Sequence, residues 1–435
     1  MSLNYSLLDK FHSYYERRAH NNNELTTKLV KRVVIISGIF LFCGIVSYAL
    51  TTFVFHFYKE DKFSKNEVGL DPICKRRIVG YYSEYDSTDI SKNQLAKLTH
   101  AVFAFVDIKY DGTLQFKNLI TEQKFFSLKS KARSLHSNLK LMFSIGGDEN
   151  SFDFSSALAN TQMKSTLITS IIAFIHSHMI DGVDLHWKWP TSRDKSNYAT
   201  LIREIREKVD ELDAKIIISI TIPPVGVSDW ESGFDLDAIQ KHVDFINVHS
   251  MDYAKPLPNQ WGTPTGPSAS MNFNIGLRQH YNVDWTMKHY TCELKKPSMI
   301  NLVIPFYVRM WKNVQKAIDN RTEVFRNVEL KDNEVEGRSQ LSRYTVEHED
   351  MELSPESWDN ATQTPYVLDL KTRTFFTYEN EKSIKVKLDY VNKMDLGGVW
   401  IWSVDMDDRL NTLLSFVFPN ELCSSYSENG IKYSC

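Results

Sequence analysis

Eight short apolar runs recur along the chain, at Arg77–Tyr82, Ala101–Val106, Lys140–Ile145, Gly182–Trp187, Ile216–Ile222, Phe245–His249, Leu302–Phe306 and Gly398–Trp402. Most are rich in Val, Ile or Phe and lack strict polar alternation, which is the pattern of strands buried on both faces of a parallel sheet. Helix-like stretches lie between them, including Gln162–Met179, Asn197–Leu212 and Lys382–Lys393. Strands alternating with helices predict an α/β fold, and eight such runs predict a closed TIM (β/α)8 barrel. The interval from about 308 to 383 is too long for one crossover. It is polar and holds a further β-like stretch at Pro365–Tyr378, which predicts an inserted α+β subdomain rather than a structureless loop.

One apolar run is of another kind. Val33–Phe55 has 23 residues and no charge, and a helix needs ~20 apolar residues to cross the hydrocarbon core. The run exceeds the ~7–15 residue apolar region of a signal peptide, and no small-residue cleavage site is clear. It reads as a signal anchor in the lipid bilayer. Lys10, Arg17, Arg18, Lys28, Lys31 and Arg32 before it outweigh Asp9, Glu16 and Glu24, whereas Lys59, Lys62 and Lys65 after it are balanced by Glu60, Asp61 and Glu67. The positive-inside bias predicts a single-pass type II protein. Its parts are a cytosolic tail 1–32, a transmembrane helix 33–55, a linker 56–75, an extracellular or lumenal barrel 76–420 with the insertion, and a tail 421–435.

Composition then narrows the partners. A formal charge of −3 over 435 residues gives no whole-chain basic field, so nucleic acid is not an expected partner. The five cysteines include no CxxC pair, which argues against a zinc ribbon. Cys43 falls in the expected span. Cys74, Cys292, Cys423 and Cys435 would lie in an oxidising compartment, where four cysteines allow three pairings. Asn320 and Asn360 open Asn-x-Thr sequons and are the expected glycosylation sites.

In such a barrel, chemistry sits at the C-terminal ends of the strands. The most informative end is DGVDLHWKWP, Asp181–Pro190. Residues two apart share a face of a strand, so Asp184, His186 and Lys188 are predicted to point into the barrel mouth. The plain alternative is a buried ion pair beside a satisfied histidine.

This run resembles the signature DGxDxDWExP of glycoside hydrolase family 18, the chitinases. Other motifs follow in the family's order: RIVGYY, THAVFAF, SIGG at Ser144–Gly147, FINVHSMDY, PFYVR at Pro305–Arg309 and GGVWIWSVDMDD at Gly397–Asp408. The resemblance implies substrate-assisted hydrolysis, in which a glutamic acid protonates the glycosidic oxygen and the sugar's own N-acetyl oxygen attacks. An aspartate and a tyrosine then steady the oxazolinium.

The chain departs from the pattern at those groups. The general-acid position is Lys188, the central aspartate is His186, the tyrosine is Met251, and the tryptophan that often follows the third-strand glycines is Asp148. Asp181, Asp184 and Asp252 still match. A lysine of ordinary pKa ~10.4 is a poor acid at neutral pH. Its charge opposes the developing oxocarbenium by on the order of 4 kcal/mol at ~4 Å, roughly a thousandfold in rate. The resemblance therefore implies a family barrel with no working catalytic residue. Sugar binding would fall to Tyr81, Phe105, Asp252, Tyr307, Arg309 and Trp402, with Trp402 flooring the central subsite. Chitin or N-acetylglucosamine oligomers are the expected ligands, with no cofactor and no metal. Asp405, Asp407 and Asp408 read as a loop and helix start rather than a metal cluster. The alternatives are a protein-interaction or signalling module that binds no sugar, and a residual chitinase.

Overall fold

The computed structural model describes residues 76–85, 88–212, 215–257 and 262–417, with Leu422 and Cys435. The expected membrane span at 33–55, its cytosolic tail and the linker lie outside the described residues. Among the described residues, no helix is long and apolar enough to cross a membrane.

Eight parallel strands form the barrel: Arg77–Ser83, His100–Ile108, Lys140–Gly147, Gly182–Trp187, Ile217–Ile222, Phe245–Val248, Ile300–Pro305 and Gly398–Trp402. Each pairs with the next, and the eighth pairs with the first through Val79 and Trp400, which closes the ring. The fourth, seventh and eighth strands are buried at every position, as their unbroken apolar runs require. Around them, helix Lys195–Glu211 turns Tyr198, Leu201, Ile202, Ile205 and Val209 inward at helical spacing. Helix Thr161–His178 opens on Asn160, whose side chain accepts from the Met163 N–H, and closes on Met179 with φ 50°.

Register decides which polar side chains meet inside the ring. Ser144 and Ser219 flank Asp184 on the neighbouring strands. Asn247 stands beside Asn301 across the sixth and seventh strands. From these positions a buried ladder runs: Arg77 Nε donates to Asn301 Oδ1 at 3.0 Å, Asn301 Nδ2 to Asn247 Oδ1 at 2.9 Å, and Asn247 Nδ2 to the Tyr81 hydroxyl at 2.9 Å. Each partner satisfies the next, so this polar column sits in the core without orphaned groups.

The long interval between the seventh and eighth strands holds a five-stranded antiparallel sheet. Its order is Gly337–Leu341, Val308–Trp311, Thr374–Thr377, Thr364–Asp369 and Ser357–Asp359, with helix Arg343–His348 beside it. It has apolar clusters of its own, one around Trp311, Phe325 and Phe375 and another around Val308, Leu341 and Phe376. Asn320 and Asn360 are exposed. The threonines of their sequons are buried and both donate to Asp359, at 2.7 Å each. Helix Val283–Leu294 carries Cys292, which is disulfide-bonded to Cys435 with Cα atoms 5.6 Å apart. Cys74 and Cys423 lie outside the described residues.

Candidate functional site at the barrel mouth

The fourth strand alternates as the sequence predicts. Val183, Leu185 and Trp187 face outward, where Trp187 stacks on Phe154 at 4.9 Å and the Leu185 carbonyl accepts from the Tyr198 hydroxyl. Asp184 and His186 face inward. Lys188 lies just past the strand, at the mouth.

The signature positions separate along the barrel axis. Asp181 precedes the strand, at the end opposite the mouth. Its carboxylate accepts the Leu141 N–H at 2.8 Å and pairs with Arg133 at 3.1 Å, which anchors the strand start. Asp184 is fully buried and accepts from the hydroxyls of Ser144 and Ser219, both at 2.7 Å. Burial pushes its carboxyl up, and the two hydroxyls pull it part of the way back. His186, one layer higher, is 1% exposed, and neither ring nitrogen has a hydrogen-bond partner. Burial, then the Lys188 charge and His249, hold its imidazole well below the ordinary histidine range, so it is neutral.

Lys188 forms an ion pair. Its Nζ stands 3.0 Å from Asp148 Oδ1, with 13% of the lysine side chain exposed against 57% of the aspartate. Burial opposes the Asp148 charge, but the ammonium wins and keeps that carboxyl below its usual value. The Lys188 N–H donates to Ser151 Oγ at 2.9 Å, and Nζ lies 5.9 Å from the Trp189 ring centre. Asp148 follows Gly147, whose φ is +85°. A Cβ there would press into the Phe105 ring, so the turn that presents Asp148 needs glycine.

Asp252, after the sixth strand, has φ 65° and collects several partners. Arg309 Nη2 reaches it at 2.5 Å, the Tyr307 hydroxyl donates to it, and His249 Nε2 lies 3.3 Å away. Burial works against its charge, yet the Arg309 guanidinium holds the carboxyl well below the usual range. Arg309 is 0% exposed and also donates to the carbonyls of Ala254 and Ser339. Met251 is buried and offers no hydroxyl.

The six residues expected to contact sugar thus fall in two sets. Tyr81, Phe105 and Trp402 pack together with His186, Phe105 lying on Trp402 at 5.7 Å and 30°. Tyr307 and Arg309 serve Asp252 from beneath. Trp402 is 5% exposed, and Tyr81, Phe105, Tyr307 and Arg309 are 1% or less. The more open groups are ones that the strand pattern did not single out. Ring centres run from Tyr85 to Phe105 at 6.2 Å, and from His186 to Trp189 and on to Trp230 at 6.3 and 5.8 Å. Trp189 was visible in WKWP as the residue between Lys188 and Pro190. Tyr85 lies in a bend and Trp230 opens a one-turn 3-10 helix, Trp230–Gly233, elements too short for a period to mark a position.

After the eighth strand, Asp405 accepts from the Ser83 hydroxyl, and Asp407 accepts from the N–H groups of Leu413 and Leu414. Asp407 and Asp408 thus serve the start of helix Thr412–Ser415, where Asp408 accepts from the Thr412 N–H, whereas Asp405 ties the end of the eighth strand to the first. Among the described residues no group of three or more His, Cys, Asp or Glu could hold a metal. At the mouth, then, a neutral imidazole and a paired ammonium are flanked by aromatic faces suited to an apolar ring face.

The family model for glycosyl hydrolases family 18 matches residues 77–407. A probable chitinase 2 from Drosophila melanogaster is 25% identical over 338 residues, 72% of this chain and 66% of that protein. The chain therefore spans just under two thirds of that relative. The crystal structure of an Ostrinia furnacalis group IV chitinase superposes with a TM-score of 0.67 at 21% identity, over 80% of this chain and all of that one. YKL-39, solved in the presence of chitooligosaccharides, superposes with a TM-score of 0.68 at 19% identity, over 80% of this chain and 100% of that chain.

Proposed function

The chain belongs to glycosyl hydrolases family 18, and we propose that it is a chitinase-like protein that binds N-acetylglucosamine oligomers at the barrel mouth without hydrolysing them. The observation that carries this reading is the Lys188–Asp148 ion pair at the end of the fourth strand. General acid catalysis needs a group that gives up a proton near neutral pH, and a lysine ammonium paired with a carboxylate stands in that place. The neutral His186 supplies no negative charge to an oxazolinium. Sugar binding is supported by the aromatic flank of exposed Tyr85 and half-buried Trp189 and Trp230, and by the chitinases and the protein solved in the presence of chitooligosaccharides among the relatives.

The proposal extends to location: an anchor at 33–55 with the barrel outside the cytosol. The basic flank of the span, the Cys292–Cys435 disulfide and the exposed Asn320 and Asn360 support it. A second reading, an interaction module that binds no sugar, is favoured by one observation, the coverage of Trp402 by Phe105. Titration of the purified full-length chain with chito-oligosaccharides of increasing length separates the two. Affinity that rises with length and no released product supports the first. Absence of binding supports the second, and turnover above a Lys188→Ala control overturns both.

A further inference from the structure

Lys188 and Asp148 form a charge pair at the mouth. The lysine is built into the wall: 13% of its side chain is exposed, and its N–H is held by Ser151. The aspartate stands on the rim with 57% exposed. The carboxylates Asp252 and Asp184 are committed. Asp252 is engaged by Arg309, Tyr307 and His249, and Asp184 by Ser144 and Ser219. Arg309 is fully buried and paired with Asp252. Lys255 adds a smaller positive contribution at Asp148. His186 and His249 are buried imidazoles. Near Lys188 the charges are Arg309, Lys255, Asp148 and Asp252, while on the Tyr85 side Glu84, Glu149 and Asp107 gather with Lys117, which pairs with Glu149 at 2.7 Å. Of the two carboxylates near Lys188, only Asp148 is placed to exchange with a ligand.

Building on the sugar-binding reading, we propose that the mouth prefers a sugar that carries a carboxylate, and that Asp148 occupies the place of that carboxylate on Lys188 in the free protein. The ligand's acid group replaces Asp148 at Nζ while its ring lies against Trp189 and Trp230. Exchange of one carboxylate for another keeps the largely covered ammonium paired. A neutral sugar in the same place strips Lys188 of its counter-ion, which is the costly case. An oligomer alternating uronic acid with N-acetylhexosamine has this chemistry, and a neutral N-acetylglucosamine oligomer lacks it.

The test is calorimetry on the full-length chain in detergent with three probes of equal length: a uronate–N-acetylglucosamine hexasaccharide, its methyl ester, and an N-acetylglucosamine hexamer. The acid is expected to bind about tenfold tighter than its ester, with a preference that shrinks at high salt. Asp148→Asn removes the internal competitor and raises affinity for the acid and the ester alike, several-fold, with the acid still preferred. Lys188→Met abolishes the preference and Lys188→Arg retains it, which separates loss of charge from loss of fold. Equal binding of acid and ester overturns the proposal, as does a weaker acid complex in Asp148→Asn. Binding of the neutral hexamer in that case leaves the sugar-binding reading standing, and failure of all three probes overturns both.

Discussion

Lys188 Nζ lies 3.0 Å from Asp148 Oδ1, so two positions that each depart from the family signature are partners of one another. A carboxylic acid restored at 188 would face a second carboxylate across that gap, with His186 and Met251 still unable to support the N-acetyl group. We expect Lys188→Glu alone to give no turnover of a fluorogenic chito-oligosaccharide. The triple change His186→Asp, Lys188→Glu, Met251→Tyr should exceed the sum of its single variants, because such groups act as a unit. A single variant as active as the triple would contradict this account.

Acid should weaken the fold through its covered imidazoles. His186 and His249 are buried, and His100 is mostly so, with its pKa lowered to about 3 by burial and then by Arg77 and Lys140. All three are held below their ordinary value. Unfolded histidine titrates near ~6.5, so between that pH and the folded value the unfolded chain binds protons that the folded chain refuses. Stability is then complete above ~6.5 and is lost as pH falls, by about 1.4 kcal/mol per pH unit for each imidazole that stays neutral. Asp107 and Asp407, both raised to about 6 by burial, oppose this over the carboxylate range. His100→Gln isolates the histidine contribution. Urea midpoints measured across the window should fall less steeply with acid in the variant than in the parent chain, and parallel slopes would rule His100 out.

The barrel was legible because its strands are buried on both faces and therefore read as unbroken apolar runs. His100–Ile108 extends the expected stretch by one residue before and two after: His100 pairs with both neighbouring barrel strands, and Asp107 and Ile108 pair with the short antiparallel strand Leu114–Gln115. The site was legible as far as the strand carries it, which placed Asp184, His186 and Lys188 on one side. Asp181 belongs to the same motif but marks the strand's other end. Arg309 and Tyr307 match pocket positions in the resemblance, yet here they hold Asp252. The Lys188–Asp148 pair was hidden because its members are 40 positions apart and meet only through the register of the third and fourth strands.

Topology is open to a direct test. With residues after about 59 outside the cytosol, protease added to sealed microsomes should remove the N-terminal tail and spare the barrel. Asn320 and Asn360 are exposed, so glycosidase treatment should increase gel mobility, and Asn320→Gln with Asn360→Gln should remove that shift. Digestion of the barrel with the tail protected would reverse the assignment.

The Cys292–Cys435 disulfide ties the end of the chain to helix Val283–Leu294 across a separation of 143 residues. Closing a long loop removes entropy from the unfolded chain, and loss of such a bond lowers stability by about 2–5 kcal/mol. Cys435→Ser should shift the denaturation midpoint accordingly under non-reducing conditions. Equal midpoints would show that the bond does not stabilise the fold.

The pair Asp252–Arg309 joins the barrel to its insertion, because Asp252 follows the sixth strand and Arg309 lies in Val308–Trp311 of the inserted sheet. Removing one member leaves the other charge buried without a partner, which costs about 3–5 kcal/mol. Asp252→Ala and Arg309→Met should each unfold at markedly lower denaturant. The double change Asp252→Asn, Arg309→Met should lose less than the two added together, since no charge is stranded. The Asp252 carboxyl is depressed in the fold, so its contribution is present above the unfolded value of ~3.9 and is lost as pH falls below it. The stability gap between the parent chain and Asp252→Ala should therefore narrow in strong acid. If Arg309 acted only as a ligand contact, Arg309→Met would weaken sugar binding and leave the denaturation midpoint where it was.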